Sequence, residues 1–256
     1  MGWQDVDILL CAAAALRESR CRSQLTDRSE AMLIAHAPNV WSVHHTFKVR
    51  GLTISSRMTV LRLDGRLWLH SPVPISGRIR QALGALGPVA WLVAPSRAHV
   101  LFLAQASQAF PDAKVWVAPG AEGSDTVPRK GEPMDAAALQ QWAPSLKGVL
   151  LEGMPEVNET LWFHAPSGTL IVTDWLQWWR GDLPLATRLW AHAMAVRQGP
   201  GVSRMFRHLI RDPAAFDASL STAWTFPVTR VLLGHNAELD AHGWQQVVRA
   251  HSGPGR

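Results

Sequence analysis

From Met32 onward the apolar residues fall in short runs bounded by turn residues, and the period of those runs changes along the chain. Residues 32–34, 40–43, 58–63 and 67–70 have the composition and length of strands, and Asp64-Gly65 between the last two marks a two-residue hairpin. Residues 76–86 switch to helical spacing and stop at Gly87-Pro88, after which 89–93 is again an apolar strand. Strand, helix, strand in that order predicts a parallel pair. A second helix is predicted over 98–110, a strand over 114–117, a Gly- and Pro-rich loop over 120–133 and a strand over 149–151. The stretch 161–174 then predicts a β-hairpin turning at Pro166-Ser167-Gly168. Its second arm, Leu170-Ile171-Val172, is apolar without alternation, as in a strand covered on both faces. Helices are predicted over 185–198 and 203–211, broken at Gly199-Pro200-Gly201. Another runs from Pro213 to Trp224 with Asp212 as its cap, and a strand over 231–233 and a helix from Ala241 close the pattern. The result is an α/β chain with no long linker: one domain over 31–256, preceded by a helical extension over 1–30.

Composition narrows the class. With 47% hydrophobic and 18% charged residues the chain is not extensively disordered. No apolar run approaches the roughly 18 residues of a membrane span, so no transmembrane segment is expected. Residues 8–16 are apolar, but Asp5 and Asp7 precede them where a signal peptide needs positive charge. Cys11 and Cys21 are the only cysteines and make no disulfide framework, which points to the cytoplasm. The net charge of +5 comes from 21 arginines and four lysines scattered without a run, so no nucleic-acid partner is expected. Neither a Gly-x-Ser-x-Gly elbow, a Walker loop, a Rossmann fingerprint nor a His-Glu-x-x-His helix is present. A small-molecule ligand is the expected partner, and the oligomeric state is left open.

Candidate chemistry sits where apolar runs end. Asp174 follows 169–173, and an unpaired buried carboxylate costs several kcal/mol, so a cation, a hydrogen-bond cluster or an open cleft is expected beside it. His99 follows the strand over 89–93, and His235-Asn236 follow 231–233. In sheets flanked by helices, ligands gather beyond the carboxyl ends of the strands, so these groups are expected to converge. Two histidines and a carboxylate are the minimal set for one Zn, Fe or Mn ion. The bland alternative is a hydrogen-bonded histidine and a helix-capping aspartate. Leu67-Trp68-Leu69-His70-Ser71-Pro72 is echoed by Leu161-Trp162-Phe163-His164-Ala165-Pro166, which suggests two similar halves. His44 and His45 read as an exposed pair after a strand, and His164 as structural.

On the segments 57–63, 67–72 and 94–99, Asp174 after Thr169-Leu170-Ile171-Val172-Thr173, and Val231-Leu232-Leu233-Gly234-His235, the chain resembles the metallo-β-lactamase fold superfamily over about residues 32–250. It resembles in particular an uncharacterised branch known as a domain of unknown function. The resemblance implies a four-layer αββα sandwich of two mixed sheets, with metal at one sheet edge. The departures weigh as much. The superfamily's His-x-His-x-Asp-His motif falls on 94–99, where Ala94, Ser96 and Ala98 replace three ligands and His99 keeps the last. The histidine expected near Gly153-Met154-Pro155 is also missing. In this register His99, Asp174 and His235 would share one metal position of the usual pair; in the alternative register, with His99 as the middle histidine, they would be split between two positions and metal binding would not be expected. The first register implies a mononuclear hydrolase of a small ester, thioester or amide, with His70, Ser71, Ser96, Arg97 and Asn236 as substrate contacts. The alternative is a metal-free, non-catalytic descendant in which Arg97 pairs with Asp174 and the cleft binds a ligand or partner.

Overall fold

In a computed structural model, residues 32–235 and 237–252 are described; the predicted extension over 1–30, both cysteines and Asn236 lie outside them. The described chain forms two mixed sheets. The first runs in the order β1 (Ile34–Ala37), β2 (Val40–Val49), β3 (Leu52–Leu63), β4 (Arg66–His70), β5 (Val89–Ala94), β6 (Lys114–Val117), β7 (Gly131–Pro133). β1 to β4 are antiparallel, joined between β3 and β4 by the predicted Asp64-Gly65 turn with φ of 48° and 78°, and β4 to β7 are parallel. The second sheet has the order β12 (Glu238–Asp240), β11 (Arg230–Leu233), β10 (Thr169–Val172), β9 (Thr160–His164), β8 (Leu146–Leu150). Here β10 and β11 are parallel and the outer pairs antiparallel.

The sheets lack alternation in sequence because both of their faces are buried. In β4, Leu67 and Leu69 pack outward with Ile79 and Leu83 of α1 (Gly77–Leu86) and Leu103 of α2 (Leu103–Ala109). Trp68 between them faces the other sheet and meets Trp162 of β9, with ring centroids 5.3 Å apart. β9 repeats the scheme: Leu161 and Phe163 pack outward, with Phe216 and Leu220 of an α-helix over Pro213–Trp224 and Trp244 and Val247 of a helix over Ala241–Ser252. The echoed hexapeptides thus supply one inner strand to each sheet, β4 and β9. Each apolar side chain so buried contributes roughly 1.5–3 kcal/mol. Helices outside, sheets inside, the layers are αββα.

Elements are longer or shorter than predicted where polar residues interrupt them. β2 and β3 pair over ten residues, including His44 opposite Arg57 and His45 opposite Ser56, so the two histidines belong to a strand and not to an exposed loop. The helix predicted over 98–110 begins only at Leu103, because 97–102 are turns carrying His99. The helix predicted over 185–198 is α-helical over Leu185–Ala193, ending where Ala195 takes a left-handed φ of 61°. The next is reduced to Arg204–His208.

Burial, followed by the Arg57 charge, pushes the His44 pKa down from 6.5 to about 4. An unfolded chain takes up this proton near 6.5, the folded one only near 4, so stability present above 6.5 is lost as pH falls through that window. The urea midpoint of the wild type is expected to fall between these pH values, and that of a His44→Gln variant to fall less. Parallel curves for the two proteins would exclude His44 as a source of acid lability.

Candidate metal centre

His99, Asp174 and His235 come together at one edge of the two sheets. Each offers one ligand atom, and the three atoms lie within 4.8 Å of one another. Asp174 and His235 leave the parallel neighbours β10 and β11 at their carboxyl ends, and His99 comes from the turn after β5. Gly234 permits the approach: a Cβ there would stand 2.9 Å from the Thr173 Cα and 3.4 Å from the His99 Cε1.

Asp174 has a 2% exposed surface and faces His99 with one oxygen and His235 with the other. His99 Nε2 is 3.2 Å from Oδ2, and His235 Nε2 is 3.1 Å from Oδ1. Ser96 Oγ donates to Oδ2 at 3.5 Å. Burial alone would push the Asp174 carboxyl up, but the two histidines prevail and hold it well below the usual carboxylate range. Burial likewise opposes a charged His99, yet the Asp174 carboxylate and its hydrogen bond raise the His99 pKa.

Both imidazoles are tethered through their other nitrogen. His99 Nδ1 lies 2.5 Å from Ser71 Oγ, which Ser71 presents from a left-handed φ of 53° at the end of β4. His235 Nδ1 donates to the Ser55 carbonyl at 2.7 Å, and Trp179 stacks on its ring at 5.2 Å. A carbonyl oxygen can only accept, so Nδ1 of His235 carries a hydrogen. A neutral His235 therefore turns the lone pair of Nε2 toward a carboxylate oxygen 3.1 Å away. That contact is favourable only with a cation, proton or metal, between the two.

Glu159, missed in the sequence, holds the Asp174 turn from below. It is fully buried, and its carboxylate accepts three backbone N–H groups: Thr173 at 2.7 Å, Asp174 at 3.0 Å and Trp175 at 2.7 Å. Burial and the neighbouring Asp174 charge push its carboxyl up to about 7. Gln177 adds a bond from Nε2 to the Asp174 carbonyl at 3.0 Å and accepts from Trp179 Nε1 at 3.0 Å. No periodicity marks Glu159; its only signal is an acid directly before an apolar strand.

The other expected contacts divide. Ser71 lines the cleft over the three residues, and Ser96 is buried against Asp174. His70 lies beneath, wholly buried and stacked on Trp68 at 5.3 Å, with both ring nitrogens unpartnered, and it does not line the cleft. Arg97 is outside the site. Its guanidinium donates to the Pro155 carbonyl at 2.7 Å and leaves Asp174 to the histidines, so the Arg97–Asp174 pair of the metal-free alternative is not formed and Arg97 does not line the cleft.

A family profile described as a domain of unknown function, DUF4336, matches residues 37–123. No curated protein matches the sequence. Among solved structures, a metal-soaked flavodiiron core from Synechocystis superposes with a TM-score of 0.61 at 11% identity, covering 86% of this chain and 60% of that one. A metallo-β-lactamase from Erythrobacter litoralis gives 0.56 at 15% identity, covering 86% and 91%. A Pseudomonas aeruginosa metallo-β-lactamase in its mono-zinc form gives 0.56 at 11%, covering 86% and 94%. The chain has the metallo-β-lactamase fold. At such low identity the likeness is one of architecture, and this chain's chemistry has to be argued from its own site. In the 94–99 segment, Ala94 and Ser96 are fully buried and Ala98 forms part of the cleft wall.

Proposed function

We propose that this chain is a mononuclear metal-dependent hydrolase acting on a small ester, thioester or amide. The observation that carries the reading is the pair of histidines that both present Nε2 to one carboxylate while Nδ1 is tied elsewhere. Metal-ligating histidines characteristically donate their second ring nitrogen to a carbonyl, carboxylate or hydroxyl, which fixes tautomer and orientation. Donors about 2.0–2.2 Å from one ion, at angles of about 90–110°, lie roughly 2.8–3.6 Å apart. The Nε2 to oxygen separations of 3.1 and 3.2 Å, one to each oxygen of Asp174, fall in that range, and the ligand atoms of the three residues lie within 4.8 Å of one another. Two imidazoles and one carboxylate suit Zn, Fe or Mn and leave coordination positions for water and substrate.

An ion held there would supply Lewis acidity and bring the pKa of a coordinated water toward about 7. The protein's own part is positioning. Ser71 and the Ser55 carbonyl hold the imidazoles, Glu159 and Gln177 hold the Asp174 turn, and Ser96 occupies one Asp174 oxygen. Among the described residues no helix is long and apolar enough to cross a membrane. With only two cysteines in the sequence, we assign its work to the reducing cytoplasm.

Protein purified without chelator is expected to carry one Zn, Fe or Mn per chain, and a chelator to remove both the metal and ester hydrolysis, with readdition restoring them. Stable, metal-free protein under the same purification would instead support the metal-free ligand-binding alternative.

A further inference from the structure

The cleft over the metal-binding residues is small, and its wall carries no charge of its own. Phe47 of β2, Ile54 of β3, Pro72 after β4, and Leu101 and Phe102 before α2 line a cavity of about 50 Å³. Apart from His99, Asp174 and His235, no ionisable side chain lines it among the described residues. The nearby ones are turned away or neutral. Arg97 reaches the Pro155 carbonyl, and Arg57 is on the opposite face of β3 from Ile54 and Ser56, on the side where Leu61 packs between the sheets. His45 stands behind the rim, against Phe47 and Phe102 with ring centroids 6.0 and 5.3 Å away, and burial lowers its pKa from 6.5.

This wall has two consequences. A second carboxylate on a ligand would be desolvated against Phe and Ile, with the Ser56 and Ser71 side chains beside it but no guanidinium or ammonium to receive it. The cleft is also narrow: its volume of about 50 Å³ compares with the roughly 10–15 Å³ that a single water requires, so a short acyl chain fits it better than a long one. We propose that the site takes an uncharged acyl compound with a short acyl group, such as a short-chain ester or thioester whose leaving group stays outside the rim. The reaction part rests on the hydrolytic reading above; the binding preference does not. Water adds across the acyl–oxygen or acyl–sulfur bond, giving the short carboxylic acid and the alcohol or thiol, with no oxidant or reductant.

The test uses the full-length protein with its own metal and three 4-nitrophenyl esters: butyrate, the hemisuccinate of similar length but negative charge, and octanoate. Butyrate is expected to be turned over more than tenfold faster per kcat/KM than either other ester. A Phe102→Ala variant is expected to narrow the butyrate to octanoate ratio at least threefold. Equal rates for butyrate and hemisuccinate would overturn the inference. If no ester is hydrolysed, the hydrolytic reading fails, and the inference is decided by binding. Saturation-transfer NMR with butyramide and succinamate then supports it if the neutral amide binds at least tenfold more tightly, and overturns it if the two bind alike or the anion binds better.

Discussion

An Asp174→Asn protein is expected to fold and to lose its metal. Asparagine keeps the volume and one oxygen of Asp174 but removes the charge that both imidazoles face at 3.1 and 3.2 Å. Altering a residue that merely orients a metal ligand costs about 10–100-fold in affinity, so replacing the single anionic ligand is expected to cost more than about 100-fold. The metal-free forms differ as well. The histidines hold the Asp174 carboxyl of the folded protein far below its ordinary 3.8, so this carboxylate contributes stability above that pH and loses it as pH falls further. The metal-free variant should therefore be less stable than metal-free wild type at pH 7, by about 3 kcal/mol, and the gap should close in strong acid. Metal content by elemental analysis, a chelator competition and urea unfolding at several pH values measure the three effects. A variant that kept stoichiometric metal through the same competition would remove Asp174 from the coordination set.

What the amino-acid pattern disclosed and what it hid have distinct physical causes. Strands β4, β9, β10 and β11 were legible because each buries both faces, so apolar residues run on without a break and end abruptly at His70, His164, Asp174 and His235. The ends of β10 and β11, with the turn after β5, also gave the three converging side chains, since chemistry in a sheet of this kind collects at strand termini. The far half of β2 and near half of β3 were not legible. His44, His45, Ser55, Ser56 and Arg57 look like loop residues, yet they complete a ten-residue ladder. The helix expected from Ala98 was misplaced because Leu101 and Phe102 supply helical spacing while lining a cleft. The sequence places Arg97 at the site, as a substrate contact or, in the metal-free alternative, beside Asp174, but its backbone N–H bonds the Val157 carbonyl and its side chain follows the same segment to Pro155. Glu159 could not be inferred, because its partners are backbone N–H groups 14 to 16 residues further on.

Replacing Glu159 by glutamine is expected to damage the centre without touching any ligand. The two oxygens of Glu159 take three N–H groups from consecutive residues, Thr173, Asp174 and Trp175, in a fully buried position. Glutamine has one acceptor oxygen. If it replaces Oε2, the bonds to Asp174 and Trp175 are kept, and the amide NH₂ is aimed at the Thr173 N–H; the other rotamer exposes two N–H groups to the same conflict. Each buried donor left unpaired costs about 1–3 kcal/mol, and the turn must open to relieve the clash, so a loss of about 2–5 kcal/mol is expected. Since the turn sets where Asp174 points, metal affinity should fall by about 10–100-fold, the range for a group that orients a ligand. Urea unfolding in the presence of chelator isolates the stability effect, and metal competition on the folded variant isolates the second. A change below about 0.5 kcal/mol would mean that the buried carboxylate does not hold the turn. A large loss of stability with unaltered affinity would show that Asp174 is positioned by His99 and His235 alone, and that Glu159 serves the fold and not the centre.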